Sequence, residues 1–346
     1  MSDFAAKMDA FADKFCDETG FSGVLRITHK DEIIYKRNLG FDNHFERKPF
    51  TDTSMSSFYS LSKPFCALAI MRLYDKGLVD IEAHPSKYVP EASKLNKNLK
   101  IYQLMNHTSG VPDCYIEKDF AEKHAPGSYV KIREHLSLIS EYPQYFEPGT
   151  DAKYANINYN IMALIVENVS GMPYGEFMKK EIFTPLEMPY AIVDTDGLEI
   201  PNRVQGYEMQ DGKIVPVTRN PNWMLGAGDI VGTTHDVYKL NLAIKHKKLI
   251  TEQSWKKVLT PSPFNHMGFG CTVKVYDGKL RITHNGGHTG FRTYHIQLPQ
   301  DDLDMILLSN SGWGLGRNAF ETAFYENFYG YDITKGVMTP MDTGYI

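Results

Sequence analysis

A serine three residues ahead of a lysine marks the most chemically suggestive stretch of this 346-residue chain, Phe58-Tyr59-Ser60-Leu61-Ser62-Lys63-Pro64-Phe65. A serine hydroxyl is a weak nucleophile at neutral pH and needs a neighbouring base. An amine three residues on along a helix lies on the same side of it. Amides at a helix N-terminus also stabilise negative charge on an attacked acyl oxygen. The pattern alone is common: Ser128/Lys131 and Ser254/Lys257 repeat it, and a helix cap beside a surface lysine is the plain alternative. The local context favours a helix over residues 60–74. Phe65, Leu68, Ala69, Arg72 and Leu73 recur at helical spacing, Pro64 falls in the first turn, and Gly77 is placed to stop the helix. Ser60 is therefore expected at or just before the helix N-terminus, with Lys63 one turn later.

Around this pair the chain organises itself from both ends. Gly23 to Thr28 and Ile33 to Asn38 read as two strands joined at Lys30-Asp31-Glu32. Met267 to Val275, Leu280 to His284, Phe291 to Leu298 and Met305 to Ser309 read as four more, with Asp277-Gly278 as a hairpin turn. The stretch between these groups is mostly helical in pattern, so the expected fold is α/β (α+β). In it the two chain ends share one antiparallel sheet, flanked by helices, and the middle forms a helical insertion. The expected division is 1–78, 79–224 and 225–346, the first and last parts forming one lobe. Phe4, Met8, Phe11, Ala12 and Phe15 recur at helical spacing, so the N-terminus reads as a helix rather than a secretory signal. The tail after Tyr329 has no periodicity and is expected on the surface.

Composition narrows the function. Hydrophobic residues at 42% and charged ones at 23% are enough for an ordinary globular core. A net charge of -5 and the lack of a basic stripe exclude nucleic acid as the expected partner. No apolar run reaches the length of a membrane span. Cys16, Cys66, Cys114 and Cys271 are scattered without ligand spacing and read as buried free thiols, which places the chain in a reducing cytoplasm. There is no Gly-x-Ser-x-Gly elbow, zinc-protease helix or phosphate-cradling loop.

The surroundings of Ser60 extend into a long series of motifs. Arg72-Leu73-Tyr74-Asp75-Lys76-Gly77 and Leu104-Met105-Asn106-His107-Thr108-Ser109-Gly110-Val111-Pro112 follow it. Next come Pro148-Gly149-Thr150, Tyr154-Ala155-Asn156 and Phe183-Thr184-Pro185-Leu186-Glu187-Met188. Gly226-Ala227-Gly228-Asp229-Ile230-Val231-Gly232-Thr233, His284-Asn285-Gly286-Gly287 and Gly290-Phe291 complete the series. In order and spacing it resembles the family of class C β-lactamases, DD-peptidases and related esterases and aminopeptidases, from Gly20 to Asn310. The resemblance implies Ser60 as nucleophile and Lys63 as its activator. It implies Tyr154 as general base, its phenolate favoured by the adjacent ammonium, though one proton can equally be shared along all three. It further implies that Asn156 orients Lys63 and the substrate amide. The oxyanion hole comes from the backbone N–H groups of Ser60 and Gly287, and His284, Asn285 and Gly286 contact the substrate. Neither metal nor cofactor is implied. His107 reads as a structural hydrogen-bonder, and His288 and Arg292 as residues of the cleft border or the surface. Tyr325-Glu326-Asn327 matches the second motif by accident.

One departure bears on substrate. β-Lactamases of this family carry lysine at the start of the third motif, where this chain has His284. An ordinary imidazole is mostly neutral at pH 7. Losing a partly desolvated charge contact weakens binding of a carboxylate by about 1.5–3 kcal/mol. The expectation is an acyl-enzyme hydrolase for a small ester or amide, including D-amino-acid peptides, with weak β-lactamase activity. On that expectation, protonating His284 near pH 6 restores some affinity for anionic substrates. A true β-lactamase or DD-carboxypeptidase, a non-turning-over penicillin sensor and an acyltransferase are the alternatives. Oligomeric state is left open.

Overall fold

A computed structural model describes residues 2–113, 132–195, 197–218, 224–313 and 316–339. The helices used below are α1 (Ser2–Thr19), α2 (Lys63–Asp75), α3 (Ile157–Ser170), α4 (Thr234–Lys245) and α5 (Gly316–Tyr329). The large sheet comprises β1 (Gly23–His29), β2 (Glu32–Leu39), β3 (Thr272–Tyr276), β4 (Lys279–His288), β5 (Phe291–Leu298), β6 (Leu303–Ser309) and β7 (Met338–Thr339). Its order is β7-β3-β4-β5-β6-β1-β2, and each neighbouring pair is antiparallel. β1 pairs with β6 from Gly23 opposite Ser309 to His29 opposite Leu303, so the two chain ends do share one sheet.

Two of its hairpins follow from their turn residues. Lys30 and Asp31 join β1 to β2 at φ of 52° and 63°, and Asp277 and Gly278 join β3 to β4 at 49° and 76°. Two consecutive positive φ angles give the twist a two-residue hairpin needs, which Asp and Gly tolerate best. Both sheet faces are covered. Leu25, Ile27, Met305 and Leu307 lie in one apolar cluster with Phe4, Met8, Phe320 and Phe324 of α1 and α5. The alternate residues Val24, Ile306 and Leu308 join a second cluster with α2 and α3. Burial on both faces explains why Met305 to Leu308 of β6 are apolar in succession instead of alternating.

Two expectations need correction. The strand expected from Met267 starts at Thr272, because Gly268 to Cys271 turn at Gly270 with φ of 78°. The tail does not simply lie on the surface: Ile333 is fully buried, and β7 adds an edge strand to β3. Two residues of pairing are too short to leave a periodic signal. Cys66 and Cys271 are buried free thiols, while Cys16 is only half-buried; Cys114 lies outside the described residues. Burial pushes the Cys66 and Cys271 thiols up to about 12, so neither is a ready nucleophile. No helix among the described residues is long and apolar enough to cross a membrane.

Candidate active site

Ser60 sits in a 3-10 turn, Tyr59–Ser62, that runs directly into α2. The turn is entered through Tyr59 in the left-handed region at φ of 48°. For a bulky residue this conformation is disfavoured by about 1–2 kcal/mol, and the surroundings hold it. Tyr59 is buried, stacks on His288 at 5.3 Å and packs against Phe291. The two serines of the motif are thereby separated in role. Ser62 is fully buried and its Oγ accepts from the Ile230 N–H at 3.0 Å, whereas Ser60 lines an open cleft. The described repeat of the motif, Ser254/Lys257, offers no such site. Ser254 is buried and hydrogen-bonded to Asp75, and Ser128/Lys131 lie outside the described residues.

Lys63 is completely buried, and its Nζ has three oxygen partners: Ser60 Oγ at 3.0 Å, Asn156 Oδ1 at 2.9 Å and Ala227 O at 2.7 Å. Two of these are carbonyl oxygens, which can only accept. A neutral amine has two hydrogens and one lone pair. The two carbonyls take both hydrogens and leave the lone pair facing the serine. Burial disfavours the ammonium and brings Lys63 down to about 7, opposed by the negative charges of Asp113 and Asp229. A substantial neutral fraction is therefore present at pH 7.

At Tyr154 burial works against the expected phenolate. Its hydroxyl is pushed up from the ordinary phenol value by desolvation, against the lowering effect of a hydrogen bond with Ser60. The residue is 41% exposed, as expected of a cleft wall, yet the protein packed around it still disfavours the phenolate. Lys63 Nζ lies 4.8 Å from its ring centroid, a contact with the π-face rather than the oxygen. In this geometry the amine meets the ring and not the oxygen on which a phenolate charge would centre. His107 stacks on the other side of Tyr154, with centroids 4.2 Å apart. His107 is fully buried, accepts from the Ala155 N–H at 3.2 Å, and is held neutral by burial and by Lys63. It serves as a platform for Tyr154, in keeping with the expected structural role. Tyr325, of the accidental second match, lies buried in α5 and accepts from Arg281 at 2.9 Å.

The third motif lies on β4, which runs past the Ser60 turn. Thr293 of β5 donates to Phe58 O at 2.8 Å, and a Cβ on Gly286 would lie 1.9 Å from that same oxygen. Only glycine permits this approach. At Gly287 a Cβ would meet only Arg292 Cδ at 3.4 Å, an ordinary contact. Gly286→Ala is expected to destabilise the fold by about 1–3 kcal/mol and Gly287→Ala far less. Urea midpoints at unchanged slope will distinguish them; equal midpoints for the two variants would contradict this packing.

His284 is buried, and its Nδ1 lies 2.7 Å from Asn285 O. Burial brings it down to about 3, helped by the nearby Lys63 and by His295, its partner across β5. This direction runs against the expectation that it becomes charged near pH 6. The imidazole stays neutral over the whole working range because an imidazolium there would be desolvated beside an amine. Ser60, Tyr154, His284, Asn285, Gly286 and Gly287 line one cleft of about 740 Å³, as do His288, Arg292 and Arg317. Lys63 and Asn156 adjoin it behind Ser60.

Three parts of this arrangement were not anticipated. The Ala227 carbonyl lies in a turn preceded by Gly226 at φ of 72°. Asp113 is buried behind Asn156, and Arg317 enters the cleft from the start of α5. The only trace of Asp113 in the sequence is its position directly after Val111-Pro112.

Comparison with known proteins bears on the family and the fold. Penicillin-binding protein 4* of Bacillus subtilis (strain 168) is 29% identical over 311 residues, covering 84% of this chain and 68% of that protein. A D-amino acid amidase from Ochrobactrum anthropi SV3 superposes with a TM-score of 0.81 at 21% identity, over 95% of this chain and 99% of the other. EstCE1, described as a hydrolase with promiscuous acyltransferase activity, gives 0.78 at 17% identity, over 95% and 99%. At these identities the two structures establish a shared fold. The sequence profile described as Beta-lactamase matches residues 6–324, and the chain belongs to that family.

Proposed function

We propose that this protein is a serine hydrolase that forms an acyl-enzyme on Ser60 from a small ester or amide and releases it to water. The observation that carries this reading is the Lys63 amine, held by two carbonyl oxygens and 3.0 Å from Ser60 Oγ. In the proposed sequence Lys63 takes the Ser60 proton as the hydroxyl attacks. The N–H groups of Ser60 and Gly287 receive the developing oxyanion. Tyr154, a neutral phenol, passes a proton towards the leaving group and recovers it from Lys63. Water then repeats the route in the deacylation step. On the same reading the segments 1–78 and 225–346 form one lobe and 79–224 the other, with the cleft between them.

For substrate class, a neutral His284 favours uncharged esters and amides. The D-amino acid amidase and the hydrolase with promiscuous acyltransferase activity among the structural relatives support acyl-transfer chemistry of this kind. Arg292 and Arg317 nevertheless supply positive charge to the cleft wall, so a carboxylate at the far end of a substrate is compatible with the site. The test is intact-mass spectrometry after exposure to a p-nitrophenyl ester, a D-amino acid amide and nitrocefin. A mass increment on Ser60 that decays with substrate turnover is expected for the first two. Absence of any increment, with all three compounds left intact, would refute the acyl-enzyme. A pH series adds a second expectation. As pH falls from 8 to 5, kcat/KM for nitrocefin and for the ester should decline together, because His284 does not titrate there. A rising nitrocefin-to-ester ratio would show that the imidazole does become charged.

A further inference from the structure

Asp113 lies outside every motif that carries the chemistry above, yet it is almost completely buried against one of them. Its relative exposure is 1%, and its Oδ2 accepts from the Asn156 backbone N–H at 2.8 Å and from Asn156 Nδ2 at 3.3 Å. On its other side, Asn156 presents Oδ1 to Lys63 Nζ at 2.9 Å. A side-chain amide has one accepting and one donating end, and the two have nearly the same shape. What selects the orientation is the partner. An ionised carboxylate accepts only, so it draws the NH₂ end to itself and turns the carbonyl towards Lys63.

We propose that Asp113 is a positioning residue for the acylation step, locking the Asn156 amide so that its carbonyl occupies one N–H of Lys63 and the amine's lone pair stays directed at Ser60. This rests on Ser60 acylation as proposed above. Were the amide reversed, two N–H groups would face the amine. The lone pair would then be drawn to Asn156 instead of the serine hydroxyl. The charge of Asp113 has a second, separable effect. The groups acting on Lys63 are Asp113 in the loop after residue 110, Asp229 beside the Ala227 turn, Cys66 on its own helix, and the rings of Tyr154 and Tyr159. His107 and His284 also lie within its field and stay neutral. Of the charges that favour the ammonium, Asp113 has the largest effect.

Asp113→Asn is nearly isosteric and leaves the amide free to reverse. With the neutral ester, kcat at the alkaline plateau should fall about 10–100-fold, in line with the loss expected from misplacing a catalytic group. KM should change little. The acid limb of kcat/KM should move to lower pH by about one unit, because removing a nearby negative charge makes the ammonium less favourable. A simple packing defect would lower activity without moving that limb. In an Asn156→Ala background the added loss in kcat should shrink to less than about twofold, since the two side chains act as a unit. Should the asparagine variant fail to fold, Asp113→Glu keeps the charge with altered reach. It should then lose kcat while keeping the wild-type acid limb. An unmoved limb in Asp113→Asn, a moved one in Asp113→Glu, or full additivity with Asn156→Ala overturns the assignment. Failure of the wild-type protein to acylate Ser60 would instead overturn the underlying mechanism, and the mass measurement on unsubstituted protein reveals that first.

Discussion

Ser60→Ala is expected to abolish ester turnover, by about 10⁴–10⁶-fold, the range seen when the nucleophile of a serine enzyme is removed. The same variant should lose all labelling by a fluorophosphonate or a fluorescent penicillin. The fold should be untouched, because Ser60 stands in the cleft wall and its side chain bonds within the site, to Lys63 and Tyr154. Ser62→Ala provides the contrast. That serine is fully buried and holds the Ile230 N–H. Its loss leaves a buried donor unpaired, at about 1–3 kcal/mol of stability, while the labelling of Ser60 survives in the folded fraction. Ser254→Ala should keep both turnover and labelling, since Ser254 is buried and hydrogen-bonded to Asp75 at the end of α2. Full turnover in Ser60→Ala would sink the mechanism while leaving family membership intact.

These contrasts show what the linear sequence contains and what it does not. The large sheet was legible because its signals are local: Asp277-Gly278 specifies a hairpin turn, and each flanking run has the composition of a strand. The Ser60–Lys63 pair was legible for the same reason, since three residues along one helical turn fix their own geometry. Asp113 was not legible, because its partner Asn156 is 43 residues away and only the folded chain brings them together. Protonation states were the least legible. The resemblance implies that a lysine stands near a tyrosine, an attraction that would favour ammonium beside phenolate. Inside the protein desolvation acts against both charged forms and outweighs their mutual attraction. The same burial holds His284 neutral, which a residue name alone cannot reveal.

The second large effect follows from that reversal. Lys63→Ala is expected to lower kcat with the neutral ester by about 10²–10⁴-fold, the usual contribution of a general base. It also removes the amine that holds Asn156 and Ala227 O in place, so its loss should be at least as great as that of Tyr154→Phe. The pH dependence separates the two roles. On the proposed mechanism the base is the neutral amine, and Lys63 lies at about 7. Wild-type kcat/KM should therefore rise with pH through a limb centred near 7 and then level off. If the Tyr154 phenolate were the base, activity would go on climbing past pH 10, because burial lifts that hydroxyl above its ordinary value. In Tyr154→Phe the limb near 7 should persist with a lower plateau, since the group that titrates is still present. The loss should be greatest for an amide, whose amine leaving group needs a proton, and smallest for p-nitrophenyl esters, whose leaving group departs unaided. A Tyr154→Phe variant equally impaired on both substrates, with its acid limb gone, would return the role of base to the tyrosine.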